Sequence, residues 1–328
     1  MLLFREAYKI GVECREKIID KVGFPMHKII EIHDLHKSFG NVEAVKGVDF
    51  HIEAGNLFAF LGQNGAGKST TINVILGLLR PDTGHVDYGA FGSFEAFKQN
   101  IGVVFQNNVF DDYLSVKENL MLYGQLYLRD TKAVKKRLEE ICELLSLGEY
   151  VNKRFRTLSG GQKRKAEIAR ALFNAPRMLF LDEPTTGLDP KTRAEVWNIL
   201  REIQRKSEMT IFLTTHYMEE TSDADKVVII HKGQRVCEGS PAELKATYSQ
   251  DRLLITPNDA EALERNLAER GVKFEKTTDT YMIKIQSTAE SIELLYAMKD
   301  NVRYYESIKG SMDDVFLNAV GEEIGGGK

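Results

Sequence analysis

The apolar run NLFAFL at residues 56–61 is followed directly by Gly62-Gln63-Asn64-Gly65-Ala66-Gly67-Lys68-Ser69-Thr70 and then by a helical pattern. This is the G-x-x-x-x-G-K-[ST] spacing in the strand–loop–helix context that gives it meaning. Glycines let the backbone turn its N–H groups inward around phosphate oxygens, the following helix aims its positive end at them, and Lys68 adds a mobile charge. Ser69 is left to hold magnesium. Residue frequencies alone would give such a match in about one chain in a hundred of this length, so a plain glycine turn is the weaker reading.

The stretch from Lys28 to about Tyr248 alternates short β-type runs (KIIEI, VDFHI, NLFAFL, NIGVVF, RMLFL, MTIFLTT, KVVII) with helical patterns, the order of an α/β sheet. Between Asn107 and Phe155 the strand signals vanish. Val134, Leu138, Ile141 and Leu145 recur there at helical spacing, so an all-helical insert is expected, over about 107–175. From Asp251 the order is βαββαβ, a ferredoxin-like α+β unit expected over 249–320. Residues 1–27 read as an accessory helix, with Phe4, Tyr8, Ile18 and Val22 near one face, and 321–328 as a disordered tail. Its role is open between packing and contact with a membrane or a membrane protein.

A formal charge of −4 gives no basic field for nucleic acid, and no nucleic-acid partner is expected. The apolar runs fall short of the roughly 18 residues that cross a bilayer. Charges interrupt the first residues too early for a secretion signal. Cys14, Cys142 and Cys237 stand far apart and read as reduced small hydrophobes.

Met178-Leu179-Phe180-Leu181 is an apolar strand ending in Asp182 and Glu183. Beside a phosphate loop, Asp182 suits the orientation of magnesium and Glu183 the polarisation of an attacking water. Gln106 follows IGVVF and His216 follows TIFLTT, so all these groups lie past the carboxyl ends of strands, where open α/β sheets bind ligands. Leu158-Ser159-Gly160-Gly161-Gln162 opens the helical KRKAEIARAL with no strand before it, a second phosphate-binding surface. One chain cannot easily close both surfaces around one nucleotide; two chains facing head to tail can. Lys163, Arg164 and Lys165 read as a solvated helix face, and His33 and His36 as side chains leaving a strand on opposite faces.

GQNGAGKST, LSGGQ, MLFLDEPTTGLD and His216, in this order, resemble the ATP-binding cassette (ABC) superfamily over about 220 residues, from Lys28 to Tyr248. The resemblance implies a P-loop NTPase cassette at 28–248: a RecA-like core, an antiparallel β subdomain and the helical subdomain. ATP and Mg2+ are the implied ligands. Loop residues Gly62, Asn64, Gly65, Ala66, Gly67, Lys68, Ser69 and Thr70 would hold the phosphates. Phe39 would stack on adenine, although a core or turn Phe is the alternative. Ser69, Gln106 and Asp182, the last through water, would meet magnesium, while Glu183, Gln106 and His216 serve catalysis. Ser159, Gly160, Gly161 and Gln162 would contact nucleotide on the opposite subunit. Asp189 would cross that interface, or cap the helix after Pro190, or both.

The implied protein is an ATPase subunit at the cytoplasmic face of a membrane, partnered by a second cassette and a separate permease. The carboxy-terminal unit and its DDVFLNAVG ending resemble the exporter branch for daunorubicin-type drugs, polysaccharides and peptides. The competing class is a soluble cassette ATPase acting in DNA repair or on ribosomes. Those families carry long coiled-coil insertions or tandem cassettes, and this chain shows one cassette and no sustained heptads.

Overall fold

The computed structural model describes residues 28–321; the accessory helix expected at 1–27 lies outside them, as do residues 322–328 of the tail expected at 321–328. The chain divides into two units between Glu238 and Gly239.

In the first unit, β1 (Lys28–Phe39) and β2 (Val42–Glu53) form an antiparallel pair. The apolar, wholly buried β3 (Leu57–Leu61) leads into α1 (Lys68–Ile75). After it, β4 (Thr83–Asp87) returns to pair with β1, completing the three-stranded order β2-β1-β4. A short α2 (Phe94–Gln99) precedes β5 (Ile101–Val104). The helical insert follows as α3 (Val116–Tyr127), α4 (Thr131–Leu144) and α5 (Gly160–Leu172). Its start signals are local: Ser115 with Glu118 forms a capping box on α3, and Asp130 caps α4. Then come β6 (Met178–Asp182), α6 (Pro190–Ser207), β7 (Thr210–Thr215), β8 (Lys226–His231) and β9 (Gln234–Gly239).

The second sheet has the order β5-β6-β7-β3-β8-β9, with β5, β6, β7, β3 and β8 parallel. Burial on both faces explains why β3, β6 and β7 read as near-continuous apolar runs rather than alternating ones. Aromatic rings weld the two sheets together. Phe50 of β2 lies 5.1 Å from Phe60 and 5.5 Å from Phe58, which in turn lies 5.4 Å from Phe212 of β7. Parallel strands share one carboxyl edge, so the ends of β3, β5, β6 and β7 deliver their loops to the same side.

The second unit begins with α7 (Pro241–Tyr248), started by a Ser240–Glu243 capping box. It continues as β10 (Asp251–Pro257), α8 (Ala260–Glu269), β11 (Phe274–Lys276), β12 (Tyr281–Ile285), α9 (Thr288–Ala297), β13 (Val302–Ile308) and α10 (Met312–Val320). The antiparallel order β11-β12-β10-β13 is the ferredoxin-like arrangement, with Leu253, Ile255, Leu263 and Ile283 in its core. The dividing point falls about ten residues before the expected 248/249 boundary. The reason is α7, which packs on α10 and is tied to it where Asn318 Nδ2 donates to the Tyr248 carbonyl at 2.7 Å.

Candidate functional site

The loop after β3 can be made only with glycine at its tight points. Gly67 has φ +105° and a Cβ there would run into the Ala44 carbonyl, while a Cβ on Gly62 would lie 2.5 Å from the Ile230 carbonyl. Gly67 also stands as the N-cap of α1 without a side-chain cap, and the first turn carries no acidic residue. The positive end of α1 is thus open toward the loop. Lys68 is 4% exposed. Its Nζ donates to the carbonyls of Gly62 (2.8 Å) and Gln63 (3.1 Å) and lies 3.0 Å from Glu183 Oε1.

The acid pair sits where β6 ends. Asp182 Oδ1 accepts from Ser69 Oγ at 3.2 Å and from Thr214 Oγ1 at 2.6 Å. Glu183, 6% exposed, has φ +47°, a left-handed backbone held by its N–H donating to Thr214 Oγ1 at 2.9 Å. Thr186 Oγ1 donates to Glu183 Oε2 at 2.9 Å. His216 Nδ1 lies 3.2 Å from the same oxygen, yet the angle makes no hydrogen bond and the nitrogen has no hydrogen-bond partner. Burial pushes the Glu183 carboxyl up. The hydrogen bond and charge of Lys68, the Thr186 hydroxyl and the His216 ring outweigh it and hold the group below the ordinary carboxylate range.

A cleft of about 510 Å³ is lined by Phe39, Ala44, Asn64, Gly65, Gly67, Lys68, Ser69, Thr70, Gln106, Glu183, Thr186 and His216. Gly62 and Ala66 belong to the loop beneath it, and Asp182 lies behind Ser69. Ser159, Gly160, Gly161, Gln162 and Asp189 are not among the lining residues. Ser159 and Gln162 form the capping box of α5, and Ser159 and Gly160 are exposed. Asp189 caps α6 through the Thr192 N–H (3.1 Å) and hydroxyl (2.5 Å), and these bonds hold its carboxyl below the usual range. Ser69, Gln106 and Asp182 offer oxygen ligands alone, the donor set of a hard divalent cation.

The structure adds groups the sequence did not flag. Thr186 and Thr214 brace Glu183, and the polar TT ending an otherwise apolar β7 was the available signal. Arg164 corrects the expectation of a solvated face: it is buried and donates to the carbonyls of Phe105 (2.8 Å) and Gln106 (3.2 Å). The second unit contains a wider groove of about 860 Å³, in which Lys309 Nζ lies 2.5 Å from Asp251. It gathers no counterpart of the groups around Lys68.

Residues 45–186 match the family described as ABC transporter, and residues 239–320 match the carboxy-terminal domain of DrrA1-3-like ATP-binding proteins. The daunorubicin/doxorubicin resistance ATP-binding protein DrrA of Streptomyces peucetius is 33% identical over 90% of this chain and 93% of its own. The Nod factor export ATP-binding protein I of Burkholderia lata is 32% identical over 90% and 98%. A dimeric ATP-binding cassette solved in a post-hydrolysis state with ADP and Pi superimposes with a TM-score of 0.58 at 26% identity, covering 64% of this chain and 98% of that one. With two units, a phosphate loop and an acid pair arranged as described, the chain belongs to the ABC transporter family as one of its ATP-binding, ATP-hydrolysing subunits.

Proposed function

We propose that this subunit binds MgATP in the Lys68 cleft, closes head to tail on a second cassette, and powers a separate membrane permease in export. The observation that carries this is a division of labour within one chain. The phosphate loop, Gln106, Glu183 and His216 share one cleft, while Ser159 and Gly160 are exposed at the start of α5, outside it. An exposed, capped helix start with two glycines suits a phosphate presented by another subunit.

Within the cleft, Lys68 and the open end of α1 would take the phosphates, with Phe39 at the edge for the base. Ser69, Gln106 and Asp182 would hold magnesium, which when bound neutralises charge on the phosphate oxygens. Glu183, ionised and braced by Thr186 and Thr214, is placed to orient a water and accept its proton. His216 approaches Glu183 with a free Nδ1 and would meet the terminal phosphate. Among the described residues no helix is long and apolar enough to cross a membrane, and in this reading the permease supplies the membrane-crossing part. Exposed Tyr113, Leu122, Leu126 and Tyr127 on the helical insert support that face as the permease contact, on the cytoplasmic side. Export follows from the drug-resistance and Nod factor relatives.

The test is association of the Glu183→Gln chain, measured by size exclusion with light scattering in ATP, ADP and no nucleotide. Removing the water-orienting carboxylate should slow turnover and leave ATP as a ligand for the closed dimer alone. Dimer should accumulate in ATP only and be lost on adding Ser159→Arg. Equal dimer content in all three conditions would sink the head-to-tail reading.

A further inference from the structure

Strand β5 stops at Val104, so the next backbone groups have no ladder to join. They are claimed instead by one face of α5. Arg164, Glu167 and Arg170 recur every three residues and are 7%, 1% and 9% exposed. Besides Arg164 on Phe105 and Gln106, the Arg170 Nη2 donates to the Val103 carbonyl at 2.6 Å. On the far side of Gln106, Glu167 Oε1 accepts from the N–H groups of Val109 (2.8 Å) and Phe110 (3.2 Å). Glu167 Oε2 accepts from Arg170 Nε at 3.1 Å, closing the set. The chain is gripped before, at and after Gln106, by its carbonyls on one side and its amides on the other.

Charges this deep are expensive, and an apolar helix face would cover β5 at lower cost. We propose that Arg164, with Glu167 beside it, is a positioning residue for Gln106: its planar guanidinium spans two successive carbonyls and fixes where the Gln106 side chain enters the ATP cleft. A lysine offers one rotatable nitrogen in place of the planar fork, so it could reach these carbonyls without fixing both in the geometry that Nη1 and Nη2 impose. The same helix carries Ser159 as its cap, five residues away, so Gln106 and the surface offered to the opposite subunit hang on one rigid element. The inference rests on the reading of Gln106 as a residue of the ATP site.

A double-mutant cycle on MgATP turnover by the full chain tests it, using Arg164→Lys, Gln106→Ala and both together. Arg164→Lys should keep its thermal unfolding midpoint within a few degrees and its KM within about two-fold, yet lose about ten-fold in kcat, the scale set by small misplacements of a reacting constellation. The double variant should be no slower than Gln106→Ala alone, because Arg164 acts through the residue already removed. If Gln106→Ala lowers kcat and the two losses multiply, Arg164 does not act through Gln106 and the positioning role is overturned. If Gln106→Ala alone leaves kcat unchanged, the assignment of Gln106 to the site fails first, and this inference with it. Should Arg164→Lys not fold, Glu167→Gln, which keeps an oxygen for Val109 and Phe110, enters the same cycle with the same expected outcomes.

Discussion

Lys68 and Glu183 stand 3.0 Å apart and both are almost withdrawn from solvent, so neither tolerates the loss of the other without leaving a buried charge. The consequence is a pH dependence with a definite sign. Because the folded state holds Glu183 below the ordinary carboxylate pKa of about 4.3, its ionised form favours folding. That contribution is complete above the unfolded value and is lost as pH falls through the lower folded one. Glu183→Gln should therefore destabilise the chain in the absence of nucleotide at about pH 7, by on the order of 1 kcal/mol, and by less at about pH 4. Urea midpoints of both proteins at the two pH values measure the gap, and a gap that does not narrow would show that ionisation of Glu183 is not what the Lys68 contact stabilises. That these residues share a cleft was legible because local geometry dictates their types and places: the loop after β3 can turn only with glycine at Gly67, and the apolar run of β6 ends on an acid at Asp182. Arg164 was not legible. Flanked by Lys163 and Lys165, it reads as one more solvated cation, and its buried partners are backbone carbonyls, which leave no mark on the sequence.

Between elements, a tight constraint lies where the starts of α5 and α6 meet. A Cβ on Gly161 would overlap the Thr192 methyl group, and the Thr192 hydroxyl is already committed to Asp189. Gly161→Ala should cost about 1–3 kcal/mol as an overpacked contact. Thr192→Ser removes the methyl and keeps the cap, so the Gly161→Ala/Thr192→Ser chain should recover most of that loss. Denaturant unfolding of the three variants gives the coupling energy; additive losses would place the strain elsewhere. The same scale shows where periodicity misleads. All seven expected strand runs of the cassette are found in its two sheets. β4 was missed because Thr83–Asp87 is mostly exposed and polar, and β9 because Gln234–Gly239 buries a single residue, Cys237. Neither strand has an alternation to read. Helix α7 was counted with the cassette because it adjoins β9 in sequence; its packing on α10, seventy residues later, is not a local signal.

At the scale of the molecule, the two units make a test of where the cassette ends. A chain stopped at Gly239 should bind ATP within about two-fold of the full subunit, since every cleft residue precedes it and a unit with its own core folds independently. One stopped at Tyr248 should bind equally but expose the face of α7 that α10 covers, and so be the less soluble of the two. Nucleotide titration and recovery after centrifugation separate these outcomes; loss of binding at Gly239 would mean that the second unit helps to hold the first. The central place of β3 also sets an order of events during synthesis. Leu57–Leu61 is flanked by β7 and β8, whose residues Thr215 and Ile229 pair with Leu61 itself. The strand that launches the phosphate loop thus leaves the ribosome without either neighbour, and at about 5–20 residues per second it waits for roughly ten to thirty seconds before both exist. During that interval a wholly apolar strand has β2 to pack on but neither of its ladder neighbours, so this subunit's yield in a cell should depend on chaperone supply more than its finished stability would suggest.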